Sequence, residues 1–273
     1  MAYFGDPVLA ADLLFRPDHS LIDQSLNSRL GATTTNGDGF GLGWYGAGPE
    51  PAVYKSTQPA WSDPNLRELA QQVRTHLLFA HVRASTGTAV QRSNCHPFRH
   101  GRWLWMHNGQ IAEFPTLKRD LVLAVDPGLY PSIEGSTDSE VLFFLALTFG
   151  LEDDPFEAVA RAVGLVEDVA RAHGVENAVQ MTVATANGDC LWGFRYSTEG
   201  RSRSLYYSQD VAQLRRLHPD VAVLKGLGPE TRLIVSEPLL NLPGAWTGVP
   251  EGSAGIVRPG TDEIRPFVPI PAG

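Results

Sequence analysis

The segment GRWLWMHNGQI, residues 101–111, is an apolar aromatic run that stops at Asn108-Gly109. Asn-Gly is a strong hairpin signal, because both residues accept positive φ at little cost. The same pair is also a set of hydrogen-bond donors, suited to hold developing negative charge at the mouth of a pocket. In FAHVRASTGT, Arg83 interrupts an apolar strand-like run. A buried guanidinium is costly unless paired. Arg83 therefore reads as half of a structural ion pair, as a solvent-facing residue at a strand end, or as a two-pronged clamp for a carboxylate. In GSTDSEVL, Asp138 stands where an apolar helix begins. It reads as part of a helix cap, favoured by the macrodipole, or as the receptor for an ammonium group.

Other reactive types are less organised. Cys95, His96 and His100 in QRSNCHPFRHG match no common zinc spacing. Cys95 and His96 are adjacent, so on a strand they point to opposite faces and do not form a nucleophile–base pair. His19, His76, His81 and His107 are scattered and read as satisfied structural side chains. GDGFGLG neither follows a strand nor opens a helix, which argues against a dinucleotide fingerprint. Walker and G-x-S-x-G motifs are absent from the chain. No metal and no cofactor are expected.

These residues must be held by regular elements. The stretch 9–30 mixes helical spacing with polar breaks and reads as one or two helices beginning near Pro7. In NGDGFGLGWYG, glycines at 37, 39, 41 and 43 mark a strand that another backbone or a ligand approaches closely. AVYKSTQPAW reads as its partner. SDPNLRELAQQV carries cap residues and Pro64 in its first turn, and reads as a helix. HLLFAHVRAST and RWLWMHNG read as buried strands. FPTLKRDLVLAV, STDSEVLFFLALTFG and DPFEAVARAVGLVEDVARAHG read as helices, the last with apolar residues at three-to-four spacing. A hairpin is expected around Asn187-Gly188, then SLYYSQ, a short helix VAQLRRLH, TRLIVSE, and a Gly/Pro-rich tail with strand-like pieces. Hairpins imply antiparallel pairing, and wholly apolar helices need burial on a sheet. An α+β protein with two mainly antiparallel sheets enclosed by helices is expected, as a single domain over residues 1–273.

The chain has 273 residues, 43% of them hydrophobic, and a formal net charge of -8. It has ample material for a core, and no basic block directs it to nucleic acid or an anionic membrane. No apolar stretch is long enough to span a bilayer, and two cysteines, Cys95 and Cys190, make no disulfide framework. A cytoplasmic location is expected.

GDGFGLGWY (37–45), AHVRAST (80–86), NCHPF (94–98), HNG (107–109) and STDSE (136–140), in this order and spacing, resemble the class II, N-terminal-nucleophile glutamine amidotransferases. The stand-alone members are the more similar ones, among them the γ-glutamyl hydrolase of ergothioneine biosynthesis and the amidotransferase-like subunit of glutathione degradation. The resemblance covers roughly the first 200 residues well and the tail more loosely. It implies a four-layer α/β/β/α sandwich. It also implies roles: the Asn108 side chain and Gly109 N–H as oxyanion hole, Arg83 as the grip on a substrate α-carboxylate, and Asp138 as the receptor of its α-ammonium. The substrate would be glutamine or a γ-glutamyl small molecule, with a partner subunit as one option.

The family's nucleophile is a cysteine immediately after the initiator methionine, whose own α-amine acts as base. This chain begins MAYFGDP, and AYFG looks like the family's first strand a few positions later. The cysteine is expected just before Ala2, and the chain as it stands is expected to be inactive. A start set downstream of the true one, a deliberate removal, and a non-catalytic γ-glutamyl-binding or regulatory relative all account for this. The intact state of the other motifs favours the first.

Overall fold

The structure is a computed structural model that describes residues 1–31, 33–85 and 87–272. Thr86, the last residue of AHVRAST, lies outside the described residues. Thirteen strands form two sheets among the described residues. The first contains β1 (Ala2–Leu9), β2 (Phe40–Trp44), β3 (Ala52–Ser56), β4 (Arg74–Val82), β9 (Tyr206–Ser208), β10 (Arg232–Val235) and β11 (Trp246–Gly248), in the order β11-β9-β10-β1-β4-β2-β3. The second contains β5 (Phe98–His100), β6 (Trp103–Ile111), β7 (Val179–Ala186), β8 (Leu191–Ser197), β12 (Ser253–Arg258) and β13 (Thr261–Pro266), in the order β13-β12-β8-β7-β6-β5. Neighbours in both sheets pair antiparallel.

Strand alternation distributes the apolar residues into three cores, which define four layers. Leu104 and Met106 of β6 meet Ala2 and Phe4 of β1 and Leu77 and Phe79 of β4 between the sheets. Trp103, Trp105 and Ile111 point the other way, to a core shared with α4 (Phe114–Leu123), α5 (Asp138–Thr148) and α6 (Pro155–Ala172). Tyr3, Leu78 and Ala80 face outward from the first sheet, onto α1 (Ala10–Leu14), α2 (Leu21–Leu26), α3 (Pro64–Ala70), α7 (Val211–Leu217) and α8 (Ala222–Lys225). The fold is the expected α+β sandwich of helices on two stacked antiparallel sheets. The apolar helix α5 packs on β6, α4 and α6 and is buried from Ser139 to Leu147. Burying a large apolar side chain of this kind contributes about 2–3 kcal/mol.

Local chemistry sets the ends of these elements. The Asp63 side chain accepts from Leu66 N, with Pro64 in the first helical turn of α3. Thr137, not Asp138, is the N-cap of α5, its side chain accepting from Glu140 N. The glycines of β2 meet the close approach expected of them. A Cβ on Gly41 would stand 2.2 Å from the His96 carbonyl oxygen, so the NCHPF segment runs directly over this strand.

Two expectations are corrected. Asn108-Gly109 makes no turn: β6 continues to Ile111, paired with β7 through Asn108↔Thr182 and Gly109↔Met181. Long-range pairing overrides the local turn preference. No helix begins near Pro7, because β1 runs through it with a register shift between Phe4 and Val8; the helices start at Ala10 and Leu21.

Candidate active site

One pocket of about 200 Å³ opens at one end of the gap between the two sheets, and Arg83, Asn108, Gly109 and Asp138 all line it. The alternation that sends Phe79 of β4 and Met106 of β6 into the gap sends Arg83 and Asn108 to the same side.

Arg83 follows β4 directly. Its backbone is pinned by Arg83 N to Gly39 O (2.8 Å) and Asp38 N to Arg83 O (2.9 Å). The residue is buried. Its guanidinium donates to Asp38 O (3.3 Å), Ser85 Oγ (3.3 Å), Thr88 Oγ1 (2.6 Å) and Ala89 O (3.3 Å). All four partners are neutral oxygens. The nearby Asp38 carboxylate instead accepts from Ser85 N (2.7 Å). Among the described residues no carboxylate pairs with Arg83, so the structural ion pair is not what holds it.

Asp138 occupies the first turn of α5, and two backbone N–H groups fix its carboxylate. Oδ2 accepts from Ile111 N (2.8 Å), while Oδ1 accepts from Ser139 N (2.7 Å) and lies 3.2 Å from Ser139 Oγ. The bond to Ile111 defines the edge of β6. Ala112 N donates to Ala178 O, and Val179 O is taken by Thr198 N, so Ile111 and Gly109 turn their N–H groups away from β7. Gly109 N–H therefore points to the edge that Asp138 occupies. Asn108 projects into the gap one residue earlier. Glycine is required at 109, since a Cβ there would stand 1.9 Å from Gln180 O.

His107 lies behind this edge, buried, and burial lowers its pKa. The neutral ring accepts from Ser139 Oγ at Nδ1 (2.9 Å) and donates from Nε2 to Gln180 O (3.3 Å). The rings of His81 and His96 meet at 4.2 Å between centroids, tilted by 57°, and the Nδ1 atoms of both are buried without a hydrogen-bond partner among the described residues. Burial lowers His81 to about 3, with the chain's α-amine and Arg83 adding to the effect, and holds His96 well below the usual imidazole value. Cys95 is fully buried and its thiol donates to Ser56 O (3.4 Å); burial raises its pKa, the reverse of what a nucleophile needs.

The family model described as Glutamine amidotransferases class-II matches residues 13–263. The chain belongs to the class II glutamine amidotransferases. It is 31% identical over 291 residues to the probable glutamine amidotransferase DUG3 of Saccharomyces cerevisiae, covering 96% of this chain and 82% of that protein. It is 29% identical over 196 residues to the γ-glutamyl-hercynylcysteine sulfoxide hydrolase of Mycolicibacterium smegmatis, covering 70% of this chain and 79% of that one. Among solved structures, a glutamine aminotransferase class-II domain protein from Silicibacter pomeroyi is similar with a TM-score of 0.76 at 34% identity, covering 98% of each chain. The phosphoribosylpyrophosphate amidotransferase of B. subtilis shares the fold, with a TM-score of 0.60 at 14% identity over 97% of this chain and 48% of that one. No helix among the described residues of this amidotransferase is long and apolar enough to cross a membrane.

The pocket of this class II amidotransferase also has walls that the sequence did not reveal. Ser28, Leu30, Gly31, Thr33 and Asn36, together with Arg203, Ser236 and Glu237, also line it. Glu237 holds the loop by accepting from Ser28 Oγ (2.9 Å), Arg29 N (2.9 Å) and Leu30 N (3.1 Å), and it also bonds His19 Nε2. No local signal pairs residues 28–30 with a residue more than 200 positions away.

His81, His96 and His107 make stability pH-dependent. Their folded pKa values lie below the ordinary value near 6.5, so below that pH the unfolded chain binds more protons and stability falls. Each contributes a slope of up to about 1.4 kcal/mol per pH unit. Urea unfolding between pH 7 and pH 5 is expected to show this loss, and His96→Gln to reduce the slope by about one such increment. An unchanged slope in that variant would contradict the assignment.

Proposed function

We propose that this amidotransferase cleaves the side-chain amide of glutamine or a γ-glutamyl compound, as a cytoplasmic enzyme. One observation carries the proposal: a buried guanidinium without a carboxylate partner among the described residues, Arg83, lines the same pocket as the Asp138 carboxylate and the Asn108–Gly109 edge. A free amino-acid head has one carboxylate and one ammonium on the same carbon, and it complements that pair of charges. Arg83 grips the carboxylate with its planar fork, and Asp138 receives the ammonium. The amide carbonyl then lies at Asn108 and Gly109, whose side chain and N–H stabilise the oxyanion of the tetrahedral intermediate.

The reaction needs a nucleophile on the opposite side of that carbonyl, and the geometry favours a continuation of β1. Met1 N donates to Ala80 O (2.9 Å), and Ala2 pairs with both Phe79 and Ile234. Met1 sends its side chain to the outer, helix-facing core, while Ala2 and Phe4 face the gap between the sheets. A cysteine just before Ala2 would therefore point away from Asn108. By alternation the thiol belongs two or four residues before Ala2, opposite His81 or opposite Arg83. There the thiolate attacks the amide carbon, the terminal amine takes the thiol proton and returns it to the leaving amine, and water hydrolyses the thioester.

Calorimetry on the chain tests the head-group site without requiring turnover. Glutamine is expected to bind saturably, N-acetylglutamine at least about tenfold more weakly because its ammonium is gone, and Asp138→Asn to weaken glutamine similarly. N-acetylglutamine binding as tightly as glutamine would contradict the assignment. Binding without turnover by a cysteine-bearing chain would favour a γ-glutamyl-binding subunit.

A further inference from the structure

Arg203 is a second cation of the pocket, and none of the roles above uses it. It lies on the segment that leaves β8 in the second sheet and enters β9 in the first. Its Nε is buried without a hydrogen-bond partner among the described residues. Burial lowers its pKa, and no carboxylate among the described residues offsets that effect. A partly desolvated guanidinium without a counter-charge costs stability, and such a group persists where a ligand supplies the missing charge. Glu237, a carboxylate that lines the same pocket, is already engaged by Ser28, Arg29, Leu30 and His19.

Topology fixes which end of a substrate Arg203 would meet. In the first sheet β1 lies between β4 and β10. Arg83 follows β4, whereas Ser236 and Glu237 follow β10. Ser204 Oγ donates to Ser236 O (2.8 Å), which anchors the Arg203 segment on the β10 side. Arg83 and Arg203 thus stand on opposite sides of the line along which β1 enters. The groups whose titration each one influences agree with this. Arg83 acts on His81, Cys95 and His96, and Arg203 acts on His107. With the head group at Arg83 and the carbonyl at Asn108, whatever lies beyond the scissile bond extends toward Arg203.

We propose that Arg203 receives an anionic group on the leaving amine, so that the preferred substrates are γ-glutamyl compounds whose amine portion carries a carboxylate, as a γ-glutamyl peptide with a free C-terminus does. The proposal rests on the γ-glutamyl reading of the pocket. Two probes that differ only in the distal charge test it, γ-glutamylglycine and γ-glutamylglycinamide, with glutamine as the control, each titrated calorimetrically into the chain. The acid is expected to bind at least about tenfold more tightly than the amide, with the difference shrinking as salt is raised. Arg203→Gln is expected to bring the acid-to-amide ratio close to one, and Arg203→Lys to keep part of it. Equal affinity of the unsubstituted chain for acid and amide, with glutamine still bound, would overturn the role of Arg203 and leave the head-group site standing. Failure of all three probes to bind the folded chain would overturn the head-group site itself, and the role of Arg203 with it.

Discussion

Alanine at Gly109 is expected to destabilise the protein by about 3 kcal/mol or more and to lower its melting temperature by about 6–12 °C. The added Cβ would stand 1.9 Å from the carbonyl oxygen of Gln180 and 2.6 Å from His107 Nε2. The first obstacle is backbone of the paired strand β7, which cannot rotate aside as a side chain can. Either β6 and β7 separate locally, or β6 shifts away from β7 toward Asp138. In both cases the His107 hydrogen bond to Gln180 O and the aim of the Gly109 N–H are disturbed together. The loss should therefore appear in thermal unfolding and in ligand affinity alike. A melting temperature within 2 °C of the unsubstituted chain would mean that the β6–β7 contact is looser than described.

Replacing Arg83 by methionine is expected to weaken binding of glutamine by about 100-fold or more. Removing one partner of a buried, hydrogen-bonded charge pair costs about 2–5 kcal/mol, and each 1.4 kcal/mol is tenfold in affinity. Arg83→Lys keeps the charge but loses the planar fork and is expected to cost about tenfold. Arg83 also satisfies oxygens of Asp38, Ser85, Thr88 and Ala89, so the methionine variant loses stability as well. The ratio between the lysine and methionine variants separates binding from folding. Glutamine affinity unchanged in a folded Arg83→Met protein would remove Arg83 from the site.

Much of the fold was legible because local chemistry set it. Asp63 and Pro64 begin α3, and the spacing of Val159, Val163 and Val166 marks the buried face of α6, with half-buried Phe156 packed beside it. The two Asn-Gly pairs show where such reasoning stops. Asn187-Gly188 joins β7 to β8 as a turn, whereas Asn108-Gly109 lies within a strand. The dipeptides are identical. The partner strand and the Asp138 carboxylate, both distant in sequence, decide the outcome at 108–109. The positions of Arg83, Asn108, Gly109 and Asp138 came from five motifs in order, not from any one segment. Arg203 and Glu237 carry no local signal, and only the stacking of the two sheets brings them to the pocket.

The central claim is that a thiol on a continuation of β1 attacks an amide held between Arg83, Asp138 and the Asn108–Gly109 edge. It is tested most directly by measuring glutamate release from glutamine by the chain extended at its N-terminus so that cysteine is the first residue, placed two or four positions before Ala2. Hydrolysis is expected from the extended protein, abolished when that cysteine is replaced by alanine and retained when Cys95 is replaced by serine. Equal hydrolysis by the cysteine and alanine versions, or none by the cysteine version while glutamine still binds, would contradict it.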